Sequence, residues 1–486
     1  MKTAMTIALA LLASALLSTA PLGAAPASAS GPASASGPAS APPGLTSTDV
    51  SFKGFGGLTL HGTVLAPARP SGRAARPVPG VVLVTGSGAG VPREHLRTEA
   101  VEFARRGLAV LIYDKRSEGY SNLRRSFSEL AGDALGAVGA LRARPGVDPA
   151  KVGLWGLSEG GWVAPLAASR SPGVAFVIVV GGNAMTPMRQ QLWNEEYSLR
   201  REGVSGSLLG HAKRNFARFG ADAGLFAEAF FDAPGVLAKV RQPLLGVWGG
   251  RDLQTPPEDN PPLFARALRR GGNTRYTFRF FAGADHAAHV TPDGGRTRGE
   301  ALAPGYADLV GSWVHDATSG RAPVADAPTP PEQDYASAEI SPSPWWASEW
   351  PQITAYLLFV IAFTAYPLVA LVRRLRGRTV RPVSRWARLL SGAGLATPLG
   401  LFFYIFYLMA AGRAPDPGPV LAGRPLPWLL LQALAVAAAG AGIATAVAWR
   451  RAAATVPVGE RVRLGLLVTA GAVFIPWAVY WGLLVP

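Results

Sequence analysis

Four long stretches near the C-terminal end of this 486-residue chain contain no charged residue, and they restrict its fold more than any other feature. They cover residues 350–372, 389–412, 425–449 and 464–486. A bilayer with a hydrocarbon core of about 30 Å is crossed by a helix of roughly 20 apolar residues. Because buried helices of globular proteins rarely run so long without a charge, residues 349–486 are predicted to form an all-α membrane domain of four transmembrane helices.

The arginines between these stretches predict the orientation of the domain. From Pro351 onward the chain has 13 arginines, no lysine and two acidic residues, which gives +11 of the total net charge of +16. Most of these arginines lie in the first and third loops, whereas the second loop holds only Arg413 and Arg424. Since arginine-rich loops remain cytoplasmic, the second loop and both ends of the domain are predicted to lie outside. Charge placed in membrane loops also argues against a nucleic-acid partner.

The N-terminus supports the same orientation. Residues 1–29 have the pattern of a secretory signal peptide, with Lys2, an apolar core and small residues at Ala27-Ser28-Ala29, although its cleavage stays open. Residues 30–46 repeat Ser, Gly, Pro and Ala and are predicted to be a low-complexity linker. Residues 319–348 are rich in proline and lack periodicity, which predicts a second, flexible linker. The protein is therefore expected in the cell membrane, multi-pass, with residues 47–318 on the extracytoplasmic side.

Residues 47–318 alternate between strand-like and helix-like segments. After an opening hairpin around residues 50–64, strand patterns occur at 81–85, 108–113, 152–155, 176–180, 244–248 and 276–281. Helical spacing occurs at about 95–106, 127–143, 160–169, 260–270 and 305–316. This alternation predicts an α/β domain with a mostly parallel sheet and helices on both faces. Ligands of such sheets bind at the carboxyl ends of the strands.

The motif Gly156-x-Ser158-x-Gly160 lies between one of these strands and the following helix. A serine in a sharp strand-to-helix turn is lifted clear of the sheet, and the glycines leave room for the turn. The N-terminus of the following helix favours an oxyanion at this position. The motif therefore predicts a nucleophilic serine, while a glycine-rich turn without a catalytic role is the alternative.

A serine nucleophile needs a base and an acid that orients it, and both follow in the expected chain order. Asp252 ends the strand pattern 244–248, and His286 follows the strand pattern 276–281. His289 is the competing base, and Asp285 is interpreted as structural. Ser158, Asp252 and His286 are thus the predicted catalytic residues.

These segments together resemble the α/β-hydrolase superfamily, and within it the bacterial serine esterase-like hydrolases. The resemblance covers about residues 48–317 and is carried by segments at 83–88, 113–121, 158–161, 249–252 and 283–286. It implies an oxyanion hole formed by the backbone N–H groups of Ser87 and Glu159, with a glycine-rich turn as the alternative for Ser87. It implies no metal and no organic cofactor. Asp114 and Arg116 are interpreted as a structural polar network near the site.

A helical segment at about 182–242 interrupts the alternation before the Asp252 strand and is predicted to form a cap over the serine. Its helical patterns cover residues 185–201, 208–219 and 225–231. Its apolar residues are candidates for an acyl pocket, although packing against the body is the better interpretation of any single one. They are Met188, Leu192, Trp193, Tyr197, Phe216, Phe219, Phe226 and Phe230.

The sequence therefore predicts a membrane-tethered serine hydrolase that cleaves ester-type acyl substrates through an acyl-enzyme. The substrate is expected to be a small or lipid-like acyl compound, and protein partners remain unknown. Peptidase and thioesterase activity use the same catalytic residues and stay open. A catalytically silent binding or sensing domain of a membrane assembly is the alternative from another class.

Overall fold

The computed structural model describes residues 41–68, 76–121, 123–321, 324–377, 384–410, 416–452 and 457–486. The predicted signal peptide, the first linker up to residue 40, and Arg378, Arg381 and Arg413 lie outside these ranges. The described residues form an α/β domain with a large sheet, followed by a bundle of four long helices.

The sheet has eight strands in the order β1-β2-β4-β3-β5-β6-β7-β8. β1 and β2 form the predicted antiparallel hairpin, β2 also pairs antiparallel with β4, and all other neighbours are parallel. The mostly parallel α/β architecture is thereby confirmed. The strands are β1 (Leu45–Lys53), β2 (Thr59–Pro67), β3 (Val78–Val84), β4 (Ala109–Tyr113), β5 (Val147–Leu157), β6 (Val177–Val180), β7 (Leu244–Gly249) and β8 (Tyr276–Phe281).

Helices cover both faces of the sheet because successive strand side chains point to opposite sides. Val82 and Leu154 belong to a core with helices α2 (Phe127–Arg142), α3 (Gly160–Arg170) and α7 (Asn260–Arg270). Val81 and Trp155 belong to the opposite core with α1 (Arg97–Arg105) and α8 (Tyr306–Thr318). The sheet is thus buried on both sides, which explains its nearly continuous apolar strands.

The cap consists of α4 (Pro187–Arg201), a π-helical turn (Leu208–Lys213) that continues into α5 (Arg214–Asp222), and the short α6 (Ala233–Leu237). The helix predicted at 225–231 is wrong. Glu228 has a φ of 60°, in the left-handed region that helices do not continue through, and its carboxylate accepts the N–H of Phe127 at 3.1 Å. The segment therefore caps α2 instead of forming a helix.

The four C-terminal helices are long and apolar enough to cross a membrane. They are α9 (Glu349–Leu375), α10 (Arg385–Ala410), α11 (Leu426–Ala452) and α12 (Val458–Tyr480), and together they form the C-terminal bundle. They include charges that sequence analysis placed in loops. Glu460 of α12 accepts from Arg373 of α9 at 2.6 Å and from Arg463 at 3.0 Å, so these charges pair where the helices meet.

Residues 324–348, here called the strap, are held against the cap and the sheet. The backbone of Asp326 exchanges hydrogen bonds with Tyr276 and Phe278 of β8, and Trp193 of α4 donates to the carbonyl of Tyr335 at 2.7 Å. Ile340 is buried against the cap. The free coil predicted for 319–348 therefore does not hold for the strap, because its polar backbone groups find partners on the domain.

The cap also packs on the bundle. Leu208 and Leu209 share an apolar core with side chains of all four bundle helices. Asn215 donates to the carbonyl of Tyr480 at 2.6 Å, and the Ser205 N–H donates to the carbonyl of Gly423 at 2.7 Å. The contacts lie at the bundle end that carries the loop between α10 and α11 and the C-terminus, opposite the Arg373–Glu460 pair.

Candidate active site

Ser158 occupies a tight turn between β5 and α3, as the motif predicts. Its φ is 56°, a strained value for a residue with a side chain. A Cβ on Gly156 would lie 2.0 Å from the carbonyl oxygen of Gly160, and a Cβ on Gly160 would lie 2.3 Å from that of Val84. Both glycines are therefore required by close backbone packing, and the turn presents the serine at the carboxyl edge of the sheet.

Asp252 and His286 meet at the same edge. Asp252 follows β7, His286 follows β8, and Nδ1 of His286 lies 2.8 Å from Oδ2 of Asp252. The carboxylate is held by the N–H groups of Gln254 and Thr255 and by the Thr255 hydroxyl at 2.6 Å. The imidazole is thus oriented by a carboxylate that is itself fixed.

Ser158 and His286 both lie against the carboxyl end of β6. The Ser158 N–H donates to the carbonyl of Val180, and a Cβ on the next residue, Gly181, would lie 2.6 Å from the imidazole of His286. Nε2 of His286 is buried and has no hydrogen-bond partner among the described residues. With Nδ1 bound to Asp252, Nε2 is the nitrogen left to receive a proton.

The acid loop is also tied to the cap. Two amide side chains of α4 donate to it, Gln190 to the carbonyl of Gln254 at 2.6 Å and Asn194 to the carbonyl of Leu253 at 2.7 Å. The position of Asp252 therefore depends on α4 as well as on β7.

The two backbone groups predicted for the oxyanion hole flank the serine. Glu159 follows Ser158 directly and precedes α3, and Gly86 lies so close that a Cβ there would be 3.3 Å from the Cβ of Ser158. Among the described residues, the N–H groups of Ser87 and Glu159 donate to no backbone carbonyl. Both donors are available to a bound oxygen atom.

A buried charged cluster connects these two positions. Lys115 Nζ donates to Oε1 of Glu159 at 2.5 Å and to the carbonyl of Gly86 at 2.7 Å. The Tyr120 hydroxyl donates to Glu159 Oε2 at 2.9 Å and accepts the N–H of Gly88 at 3.3 Å. Arg125 also binds Glu159, at 3.0 Å.

The cluster shifts two titrations. Burial lowers the pKa of Lys115, Glu159 opposes that shift by favouring the ammonium ion, and Arg125 reinforces it. Burial, with the Glu159 carboxylate beside it, raises the pKa of Tyr120 to about 12. Tyr120 therefore keeps its proton and remains a donor over the physiological range.

The side chains of the other residues considered from the sequence have partners outside the Asp252–His286 pair. His289 is bound on both ring nitrogens, to Glu99 at 2.9 Å and to the carbonyl of Gly299 at 2.8 Å, so it is not available as a base. Asp285 accepts backbone N–H groups within its own loop. Asp114 binds Arg93 and Arg116 binds Asp133, in two separate structural pairs.

The cap residues considered for an acyl pocket mostly pack the domain. Met188 and Leu192 are buried with Ile340, and Trp193 stacks on Tyr197 with ring centroids 4.9 Å apart. Phe216 and Phe219 pack on the C-terminal bundle. Phe226 and Phe230 are half-buried against the same cluster as Met188, and the ring of Phe226 also lies 5.2 Å from the guanidinium of Arg125.

Sequence reasoning missed the side chains of Lys115, Tyr120 and Glu159. Lys115 and Tyr120 lie in the segment 113–121 that carries the family resemblance, and Glu159 was considered only for its backbone. The available signal was that two charged residues, Lys115 and Glu159, occur in segments that otherwise match the family motifs.

The strand order, the elbow and the Asp252–His286 pair define an α/β-hydrolase domain. Residues 95–303 of this domain match the model of the prolyl oligopeptidase family. Metal-binding clusters of three or more His, Asp or Glu side chains are absent from the residues the structure describes.

Individual relatives match only part of the chain. A thiohydrolase of Arthrinium phaeospermum is 35% identical over 139 residues, which cover 28% of this chain and 42% of that protein. A polyketide transferase of Penicillium crustosum is 32% identical over 136 residues, 27% of this chain and 43% of that protein. The chain thus spans less than half the length of these curated relatives.

Solved structures show a low similarity. An acylaminoacyl peptidase of Pyrococcus horikoshii has 19% identity and a TM-score of 0.37, over 50% of this chain and 38% of that one. A dienelactone hydrolase of Anabaena variabilis has 22% identity and a TM-score of 0.35, over 56% of this chain and 98% of that one.

Proposed function

We propose that this protein is a membrane-anchored serine hydrolase that cleaves acyl esters outside the cell membrane. The observation that carries the proposal is the strained Ser158 at the same sheet edge as an imidazole that is bound to Asp252 through Nδ1 and has a buried, unpartnered Nε2. This is the arrangement of a nucleophile, a base and an orienting acid.

The proposed reaction has two halves. Oγ of Ser158 attacks the acyl carbon while Nε2 of His286 takes the proton of the Ser158 hydroxyl. The N–H groups of Ser87 and Glu159 bind the oxyanion that forms. His286 then gives the proton to the leaving alcohol, which leaves an acyl-enzyme. In the second half, His286 takes a proton from water, the hydroxide attacks the acyl group, and the acid is released with Ser158 reprotonated.

Fluorophosphonate labelling of the full-length protein tests the nucleophile. Wild type is expected to react at Ser158 and to hydrolyse a short p-nitrophenyl ester. Ser158→Ala is expected to lose labelling and turnover, because the oxyanion hole alone retains only a small residual rate. Labelling that persists in Ser158→Ala contradicts the assignment, and a folded wild-type protein that never labels favours the silent binding domain.

Peptide and thioester bonds are the second candidates. The prolyl oligopeptidase family match supports a peptidase, and the thiohydrolase relative supports a thioesterase. Matched ester, anilide and thioester substrates with one common acyl group separate these activities by their kcat/KM ratios. We expect the ester to be preferred, and an anilide hydrolysed faster than the ester contradicts the expectation.

The location outside the membrane is supported by two sequence patterns and one contact. The leader-like N-terminus and the arginine distribution both favour it. The cap meets the bundle end opposite the arginine-rich loops, through Asn215 and Tyr480. The hydrolase domain is thus proposed to rest on the outer surface of the membrane.

A further inference from the structure

We propose that Lys115 is a positioning residue that holds the two halves of the oxyanion hole in register. Its ammonium group bonds one partner on each half, the carbonyl of Gly86 and the carboxylate of Glu159. The inference rests on the proposed acyl transfer at Ser158 and adds to it a residue outside the triad.

The bond to Gly86 acts on the N–H of Ser87. The carbonyl of Gly86 and the N–H of Ser87 belong to one peptide group, which is planar and trans, so the two bonds point in opposite directions. Lys115 fixes the direction of the carbonyl at 2.7 Å and thereby directs the N–H away from itself. A cationic donor on the carbonyl also polarises the peptide and strengthens the N–H as a donor.

The bond to Glu159 acts on the second donor. The side chain of Glu159 is 2% exposed, and Lys115, Tyr120 and Arg125 all bind its carboxylate. Its backbone N–H is the other proposed donor, so fixing the side chain limits rotation of that residue at the N-terminus of α3. Tyr120 forms a second connection between Glu159 and the loop after β3, because its hydroxyl also accepts a hydrogen bond from the N–H of Gly88.

The burial of this pair favours a geometric role. The side chain of Lys115 is 5% exposed, and placing two charges in such a site costs desolvation energy that their attraction only partly recovers. A buried ion pair is therefore a weak source of net stability. Its direction-dependent hydrogen bonds, in contrast, suit an oxyanion hole, whose donors act only when they are aimed before the reaction starts.

The test compares Lys115→Met, Lys115→Arg and Tyr120→Phe in the full-length protein, with p-nitrophenyl butyrate as substrate. Lys115→Met is expected to lower kcat by about 100-fold with little change in KM, since misaiming the donors removes transition-state binding only. Lys115→Arg keeps a donor to both partners and is expected to recover most of kcat. Tyr120→Phe keeps the ring and is expected to lower kcat by about threefold to tenfold.

Asp133→Asn provides the matched control. It removes the negative charge that pairs with Arg116. Arg116 is the neighbour of Lys115 in sequence, but its side chain contacts neither oxyanion position. It is expected to lower the thermal stability while leaving kcat unchanged. Equal losses of kcat in Asp133→Asn and Lys115→Met, or wild-type kcat in a folded Lys115→Met or Tyr120→Phe, overturn the inference. If Lys115→Met does not fold, Tyr120→Phe and Lys115→Arg decide the question.

The pH profile gives an independent readout. Lys115 faces Glu159, Tyr120 and Arg125, and burial lowers its pKa, so it loses its proton on the alkaline side before a free lysine does. Wild-type kcat is expected to fall as Lys115 is deprotonated, and Lys115→Arg is expected to move that limb to higher pH. An alkaline limb unmoved in Lys115→Arg contradicts the inference. If wild type shows no fluorophosphonate labelling, the proposed function itself is refuted. This outcome differs from a failure of the Lys115 inference, in which wild type still reacts with the probe.

Discussion

At the residue scale, the catalytic edge of the sheet combines a local turn with contacts between distant segments of the chain. Gly156-x-Ser158-x-Gly160 specifies its own backbone, because the glycines and the turn lie within five residues of each other. Asp252 and His286 follow from strand ends that a parallel sheet brings to one edge. Lys115 and Glu159 are 44 residues apart, and no periodicity connects them. Only the folded sheet shows that they meet.

The glycines of the elbow give a prediction at this scale. Gly156→Ala places a Cβ 2.0 Å from a backbone oxygen, so we expect a loss of about 3 kcal/mol or more in the free energy of unfolding. Gly139→Ala is the control, because this exposed glycine of α2 has open space around it and is expected to gain up to about 1 kcal/mol. Thermal unfolding of both variants checks this, and a fully stable, active Gly156→Ala contradicts the close packing.

At the element scale, sequence pattern worked for the fully buried strands and failed for one segment of the cap and for the strap. Strands such as β7 (Leu244–Gly249) were placed to within a residue, because full burial leaves a continuous apolar run. The helix expected at 225–231 was wrong because apolar spacing does not reveal the left-handed Glu228. The strap was missed for a related reason. Proline-rich sequence lacks periodicity, and the hydrogen-bond partners of the strap lie far away in the chain.

The strap is predicted to resist proteolysis because Ile340 packs against the cap. This side chain is 8% exposed, and Ile340→Ala is expected to cost the cap–strap contact about 2 kcal/mol or more. Limited proteolysis should therefore cut Ile340→Ala within the strap faster than wild type. Val324→Ala is the control, because Val324 is 80% exposed and loses no packing. Equal cleavage rates in wild type, Ile340→Ala and Val324→Ala contradict this prediction and indicate that the strap is the free coil that its composition suggests.

At the scale of the whole molecule, the cap connects the catalytic domain to the bundle. One side of it, α4, binds the loop of Asp252 through Asn194, and the other side, at Leu208 and Asn215, packs on the bundle. The sequence predicted both domains and the helical interruption within the hydrolase domain. It did not predict this contact, since the apolar side chains of α5 (Arg214–Asp222) suit a pocket as well as a docking surface.

The same contact yields the last prediction, which concerns topology. The chain contains no cysteine, so single cysteines report their own location without background. Ser319→Cys, directly after α8 of the hydrolase domain, and Asp416→Cys, in the loop between α10 and α11, are expected to react with a membrane-impermeant maleimide on intact cells. Gly377→Cys, at the arginine-rich end of α9, is expected to react only after permeabilisation, because arginine-rich loops remain cytoplasmic. All three positions are exposed, so differences in burial do not explain a difference in labelling. Labelling of Gly377→Cys alone on intact cells inverts the orientation, and it then places Ser158 and its substrate on the cytoplasmic side.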